Sequence, residues 1–447
     1  MKRIISLLLA AVMAGAMVGC SGGGKDGEVT NDSAGNTDGK KTVLKVAALE
    51  SAYGDEAWRE VCESFEDVYE GVEVELTIDK NIEEVISSKM KAKDYPDVVC
   101  VALGRPAGLT ETMIKESSLE DITDIKDRTI PGEKGKVKDK LLDNFMSTSA
   151  TNPYSDGKSY LAPMFYSPCG LFYNAGLFKE KGWKVPETWD EMWELGDTAK
   201  KDGIYLFTYP TAGYMDSLMY ALLAQSGGMD FYNKCMNYDE GVWETNEAKR
   251  AFDIAAKLLS YTEPTTVANA NNENYLKNQQ LILDNKALFM PNGTWVSDEM
   301  KDAGRAKGFE WGFMALPADS ESDRYSYNYF EQVWVPKDAK NKDIAKDFIA
   351  YLYSDDTVEE FAKAGAIQPV KGVAEKLDGD KKLYYSIYDN GAKPVMGQFA
   401  ATEPVEGVSI NSALFDTVNS VVSGDKSVNE WRERVRDASD KLRAALK

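Results

Sequence analysis

The sequence predicts an α/β protein with more than one lobe, and three observations lead to it. Between residues 43 and 101, apolar or alternating strands are separated by amphipathic helical stretches, the order that builds a parallel sheet. The chain has 447 residues, more than a single hydrophobic core usually holds. Its 43% apolar and 28% charged residues are those of an ordinary folded protein rather than a disordered one.

The elements follow in order. Lys2 and Arg3 precede an apolar run from Ile4 to Val18, which is short for a membrane span of about 20 residues and has the flanks of a signal peptide over residues 1–19. The run ends at Met17-Val18-Gly19-Cys20, which resembles a bacterial lipobox with methionine in place of the usual leucine. That resemblance implies cleavage before Cys20 and lipid attachment to it, since stable anchoring needs two or more acyl chains. Residues 20–42 follow as a flexible tether, with six glycines between 21 and 42 and almost nothing able to build a core.

The folded part starts near Val43. Val43 to Leu49 is the first strand, and Ser51 to Asp55 make a turn with Asp55 as a helix N-cap. Trp58, Val61, Cys62, Phe65, Val68 and Tyr69 then recur at helical spacing. Val72, Val74, Leu76 and Ile78 alternate with polar residues as a strand with one covered face. Ile82, Val85, Ile86 and Met90 mark a second helix, and residues 97–101 a third strand. An open parallel sheet of this kind presents its ligand loops at the carboxyl ends of its strands.

Further on, Tyr160 to Met164 and Gly170 to Asn174 read as extended segments. Thr188 with Glu191 forms a capping box ahead of Trp189, Met192 and Trp193. Helices are predicted near 216–226, 247–261 and 272–283, a strand at Lys286 to Pro291, and a helix through Ile344, Phe348, Ile349 and Leu352. Ser427 with Glu430 is a second capping box, leading into the stripe Trp431, Val435, Ala438 and Leu442.

Composition excludes several functions. With 52 Lys plus Arg against 73 Asp plus Glu, the formal charge of -21 repels nucleic-acid phosphates and anionic membrane surfaces. The chain has no histidine, which removes Ser-His-Asp, Cys-His and HExxH chemistry. Carboxylate chemistry and pure binding survive. Beyond Cys20, the cysteines Cys62, Cys100, Cys169 and Cys235 lie far apart in mostly apolar contexts; free buried thiols are the first expectation, one disulfide the second, and a metal site is not expected.

Local phrases then become familiar. Leu161-Ala162-Pro163 precedes Leu171-Phe172-Tyr173-Asn174; Val185-Pro186-Glu187-Thr188-Trp189-Asp190-Glu191 follows; and Lys286-Ala287-Leu288-Phe289-Met290 leads to Asn292-Gly293-Thr294-Trp295. Phe313-Met314-Ala315-Leu316-Pro317 and the stretch Ala345 to Leu352 before Ser354-Asp355-Asp356 complete the order. In this order the chain resembles the type 1 extracellular solute-binding proteins, the maltose-binding-like receptors that deliver sugars to ABC importers.

The resemblance implies a periplasmic-binding-protein-like fold: two α/β lobes joined by a hinge, with a ligand cleft between them. It places one lobe at 43–150 plus 288–325 and the other at 151–287 plus 326–447. It implies a carbohydrate ligand, an oligosaccharide or amino sugar, and permease subunits as partners. It also implies a monomer held by its lipid at the outer face of the cytoplasmic membrane, with no catalysis, no cofactor and no nucleic acid. The competing class is an exported glycoside hydrolase with paired carboxylates, but no acid pair here sits in a catalytic phrase; a sugar sensor outside transport is the other alternative.

A sugar site wants aromatic platforms and planar polar groups. Trp295, in a glycine-containing turn after an apolar strand, is the first candidate by its likeness to the family's stacking aromatic. Tyr53 and Glu56 lie in the first strand-to-helix turn, and Arg105 in the loop after the third strand. Tyr166 lies just past the first hinge crossing, which the resemblance implies near 150–165, and Tyr214 with Asp216 in a loop with helix-start chemistry. The run from Tyr325 to Trp334 is the densest polar-aromatic stretch, and contributes Tyr329, Glu331 and Trp334, the last reading equally well as core.

Overall fold

The computed structural model describes residues 41–446 apart from 52, 104, 106, 144, 147, 149, 155, 320–323 and 401. The signal peptide, Cys20 and the tether up to residue 40 lie outside the described residues. Among the described residues no helix is long and apolar enough to cross a membrane.

A nine-stranded sheet runs through the molecule. Its strands are β1 (Thr42–Leu49), β2 (Val72–Asp79), β3 (Val98–Ala102), β4 (Ala162–Asn174), β5 (Tyr205–Phe207), β6 (Ala287–Gly293), β7 (Trp311–Met314), β8 (Tyr325–Trp334) and β9 (Lys393–Val395). The order is β2-β1-β3-β8-β4-β6-β5, with β7 on β4 and β9 on β8. The predicted start is present: β1 pairs in parallel with both β2 and β3. The helix Glu56–Val68 between β1 and β2 buries Ala57, Trp58, Val61, Cys62 and Phe65 along one face. Asp55 does not cap it through its side chain; its carboxylate instead pairs with Arg59 one turn on. Both predicted capping boxes form, at Thr188 with Glu191 and at Ser427 with Glu430.

Two long strands join the halves of the molecule. The first part of β4 runs antiparallel to β8, with Ala162 opposite Val333 and Pro168 opposite Asn328. Its second part pairs with β6 and β7, with Phe172 opposite both Met290 and Phe313. β8 in turn lies against β3 through its last residues, with Val99 opposite Trp334. Two large apolar clusters form the core. One is centred on the first lobe at Leu44, Trp58, Phe65, Val98 and Val333 and reaches on to Phe172, Met290 and Phe313; the other gathers Leu171, Trp193, Leu222, Phe252 and Trp431 in the second lobe.

The packing does not follow the expected lobe borders. The helices Lys342–Tyr351 and Asp355–Ala364 sit on Glu56–Val68, with Phe348 5.0 Å from Phe65 and Phe361 5.0 Å from Trp58. Residues 331–364 therefore pack with the first lobe, although they were expected in the second. β6 pairs with β4 and β5 rather than with β1–β3, although 288–325 was expected in the first. Helical periodicity says that a face is buried but not which sheet buries it.

Asp97 fixes this return crossing. Its carboxylate, 2% exposed, accepts from the backbone N–H of Lys45 at 2.9 Å, Lys340 at 3.1 Å and Asn341 at 2.8 Å. It thereby ties β1 to the segment that launches Lys342–Tyr351. Cys62, Cys100, Cys169 and Cys235 are buried and free.

Candidate ligand cleft

β8 leaves the second lobe's core at Tyr327 and enters the first lobe's core at Val333. Between them, Tyr329, Phe330 and Glu331 are at least partly exposed, and a cavity lies on each side. Both cavities include Leu103, Tyr329 and Phe330, so they adjoin.

The first cavity, about 280 Å³, is lined by Tyr53, Phe165, Tyr166, Glu331 and Tyr385 among others. The Tyr53 hydroxyl donates to Glu331 Oε2 at 2.6 Å, and its ring meets Phe165 edge-on at 4.9 Å. Burial raises the Glu331 carboxyl to about 6, against the opposing pull of the Tyr53 hydrogen bond and the Arg105 charge. Tyr166 is 3% exposed and held edge-on by Phe145 at 5.2 Å and Tyr385 at 5.0 Å. Its hydroxyl is buried without a hydrogen-bond partner among the described residues. A buried hydroxyl in that state is costly unless something enters to pair with it.

The second cavity, about 420 Å³, is lined by Asp216, Tyr220, Tyr327, Tyr329, Gln398 and Asn411 among others. Asp216 opens the helix Met215–Met236 and accepts from its neighbour's N–H, on Ser217. Its other oxygen takes the Tyr329 hydroxyl at 2.5 Å. Burial again wins over these hydrogen bonds and lifts the carboxyl from 3.8 to about 6. The Tyr329 hydroxyl is pushed up as well, first by burial and then by the Asp216 charge.

Trp295 stands beside this pair. Its ring lies 5.6 Å from Tyr329 and 6.4 Å from Tyr214, an aromatic corner that meets Asp216 through Tyr329, although neither Trp295 nor Tyr214 lines either cavity. The indole folds back over Gly293, where an added Cβ would come within 2.1 Å of the ring. Only glycine lets the ring lie so close to the strand end. The indole is half-buried, as a platform supported on one face must be.

Three candidates lie elsewhere. Trp334 is 0% exposed and packs between β3 and the helix Ile82–Lys91, so it is a core residue. The register of β8 on β3 turns its side chain inward, which the apolar strand pattern left open. Glu56 is exposed at the start of Glu56–Val68 and lines neither cavity. Arg105 is tied to Glu83, itself 3% exposed, through Nε to Oε2 at 2.7 Å, and to the Lys80 carbonyl at 3.1 Å. It lines neither cavity and acts on Glu331 through its charge.

Other lining residues escaped the sequence reading. Tyr385 lies in Leu383-Tyr384-Tyr385-Ser386-Ile387-Tyr388, a polar-aromatic run as dense as the one on β8 and legible by the same criterion. Gln398 and Phe399 sit in irregular chain, and Asn411 in the short helix Ile410–Leu414, with no sequence pattern to mark them. Among the described residues no group of His, Cys, Asp or Glu side chains is placed to hold a metal.

Several known proteins share this architecture. The bacterial solute receptor AcbH, described with an exclusive preference for β-D-galactopyranose, superposes with a TM-score of 0.69 at 18% identity, over 90% of this chain and 99% of that one. The apo form of RafE from Streptococcus pneumoniae gives 0.64 at 18% identity, over 91% of this chain and 100% of that one. RafE in complex with raffinose gives 0.56 at 18% identity, over 89% and 100%. Among curated proteins, the diacetylchitobiose-binding protein NgcE of Streptomyces coelicolor is 26% identical over 289 residues, 61% of this chain. The match spans 60% of that relative's length. The sequence pattern of the bacterial extracellular solute-binding proteins matches residues 60–383. That match covers more than half of the chain and makes the protein a member of this family, whose members bind solutes rather than transform them.

Proposed function

We propose that the chain is the sugar-capturing receptor of an ABC importer, binding an oligosaccharide or amino sugar between its lobes and handing it to the permease. The observation that carries this is the corner of Trp295, Tyr214 and Tyr329, which meets the half-shielded carboxyl of Asp216 through Tyr329. Flat aromatic faces suit the C–H faces of a pyranose, and planar acceptors suit its hydroxyls. Tyr53, Glu331 and the unpaired Tyr166 hydroxyl supply the same chemistry next door. The likeness to NgcE, named for a chitin disaccharide, favours an N-acetylated sugar among the ligands to test first.

In this reading Cys20 carries the lipid, the tether spaces the receptor from the membrane's outer face, and the receptor works as a monomer. Changing Cys20 to Ala then releases the protein from membranes, and a variant that stays bound refutes the anchor. The binding role is tested by calorimetry of the chain from residue 41 onward with mono- to tetrasaccharides. Trp295→Ala is expected to weaken the best ligand by about 2 kcal/mol or more, the size of a central aromatic anchor. An unchanged affinity in that variant would remove Trp295 from the site, and absence of binding by every sugar would remove the reading.

A further inference from the structure

The Asp216 cavity does not end at Phe399. A third cavity, about 460 Å³, opens beyond it and shares Leu103, Gln398 and Phe399 with it. One wall comes from the helix Leu109–Lys115 and from Asn152, Pro153 and Tyr154. The other comes from Asn237, from Gln398 to Ala400, and from Leu446. Leu103 borders all three cavities, so they meet around it and the Asp216 cavity adjoins each of the other two.

The chemistry of this third space matches that of the other two. Tyr154 is fixed edge-on against Tyr160 at 4.6 Å, and Phe399 is stacked on Tyr238 at 5.4 Å with 20° between the planes. Each wall therefore offers a ring whose position is set by packing behind it. Two polar atoms here have no partner among the described residues: the Tyr154 hydroxyl and Asn152 Oδ1, both buried. One can donate or accept and the other only accepts, a combination that a vicinal pair of sugar hydroxyls satisfies. An anion is a poor fit, since Glu111 lines the same space and Lys115 there is already paired with Glu403 at 3.1 Å. The acids of the other two cavities, Asp216 and Glu331, discourage an anionic sugar there as well.

We propose that this third cavity is a further sugar subsite, so that the ligand is an uncharged linear oligosaccharide of at least three rings, with one end held by Tyr154, Asn152 and Phe399. The proposal rests on the sugar-receptor reading above and specifies the length and charge of its ligand. A cavity of this size is ordinary for a specific small-molecule site, where about 300–1,000 Å³ is typical.

The test is a comparison of chain lengths. Calorimetry is run with the dimer and tetramer of the N-acetylated chito-, malto-, cello- and xylo-oligosaccharides, on the chain from residue 41 onward. In the series that binds, the tetramer is expected to bind at least tenfold tighter than the dimer. The double variant Tyr154→Phe with Asn152→Ala is expected to abolish that gain while leaving dimer affinity within twofold. Tyr154→Phe alone, which keeps the ring and its packing on Tyr160, is expected to lose part of the gain, about threefold. Equal affinity for dimer and tetramer in the unaltered protein, or an equal loss for both in the variants, overturns the third subsite and leaves the sugar reading standing. Failure of every series to bind overturns both.

Discussion

Asp216 and Glu331 illustrate how much a single side chain's setting decides. Both are carboxyls on the cleft, both accept a tyrosine hydroxyl, and both are nevertheless lifted to about 6 because burial outweighs the hydrogen bond. A carboxyl whose folded value exceeds its unfolded one contributes stability that is complete below the unfolded value and is lost as pH rises through the folded one. For Asp216 that window runs from 3.8 to about 6. Asp216→Asn, neutral at every pH, is therefore expected to be more stable than the unaltered protein at pH 7.5 and no more stable at pH 4. Urea unfolding of the unliganded proteins at the two pH values checks this, and an equal difference at both would mean that Asp216 is not desolvated. At this scale the sequence was informative where chemistry and pattern coincide. Tyr53, Tyr166, Tyr329, Glu331 and Asp216 all line the cavities, because polar aromatics beside predicted turns and crossings have few reasons to be there other than a cleft. Trp334 shows the limit, since its side of β8 is set by hydrogen bonds to a strand more than 200 positions away.

Among the elements, capping chemistry was the most legible signal, since a capping box is closed within four residues and owes nothing to the rest of the fold. The helix predicted near 216–226 also ends close to where it was expected: Gly228, at φ 75°, ψ -178°, breaks the helical geometry, and a second helical stretch follows to Met236. The helix through Ile344 to Leu352 was legible as a helix but not as part of the first lobe. What places its start is the Asp97 carboxylate, which collects three backbone N–H groups from two distant segments. Asp97→Ala would leave those donors unpaired in a buried setting. The expected loss is about 3 kcal/mol or more, given about 1.5–3 kcal/mol for a hydrogen bond to a charged group and a further desolvation cost for each donor left behind. Urea unfolding measures it, and a loss under about 1 kcal/mol would mean that water takes over the carboxylate's role.

At the level of the whole molecule, β4 and β8 contribute to both large core clusters and pair with each other, so they join the two lobes. A ligand that touches both lobes favours the closed form by its differential affinity. Small-angle scattering is thus expected to give a smaller radius of gyration once a tight sugar is bound, and an unchanged curve would mean that binding is reported without closure. Two-lobed architecture was legible through ordered phrases spread over the chain, whereas lobe membership was not, because it depends on which sheet each returning segment joins.

The position of β8 between β3 and β4 also governs the order in which the protein can be assembled. The Leu103 N–H donates to the side chain of Gln332, 229 positions later, and Tyr353 reaches the Pro163 carbonyl across 190 positions. Contacts of such separation carry a high loop-closure cost and fold slowly. β1, β2 and β3 can pair early, but β3 keeps a bare edge until β8 arrives. A chain delivered from its amino terminus, by a ribosome or through a membrane pore, thus remains an unfinished sheet for most of its passage. That delay keeps it threadable, and leaves the edge of β3 open to a chaperone or to a wrong partner until Trp334 has emerged.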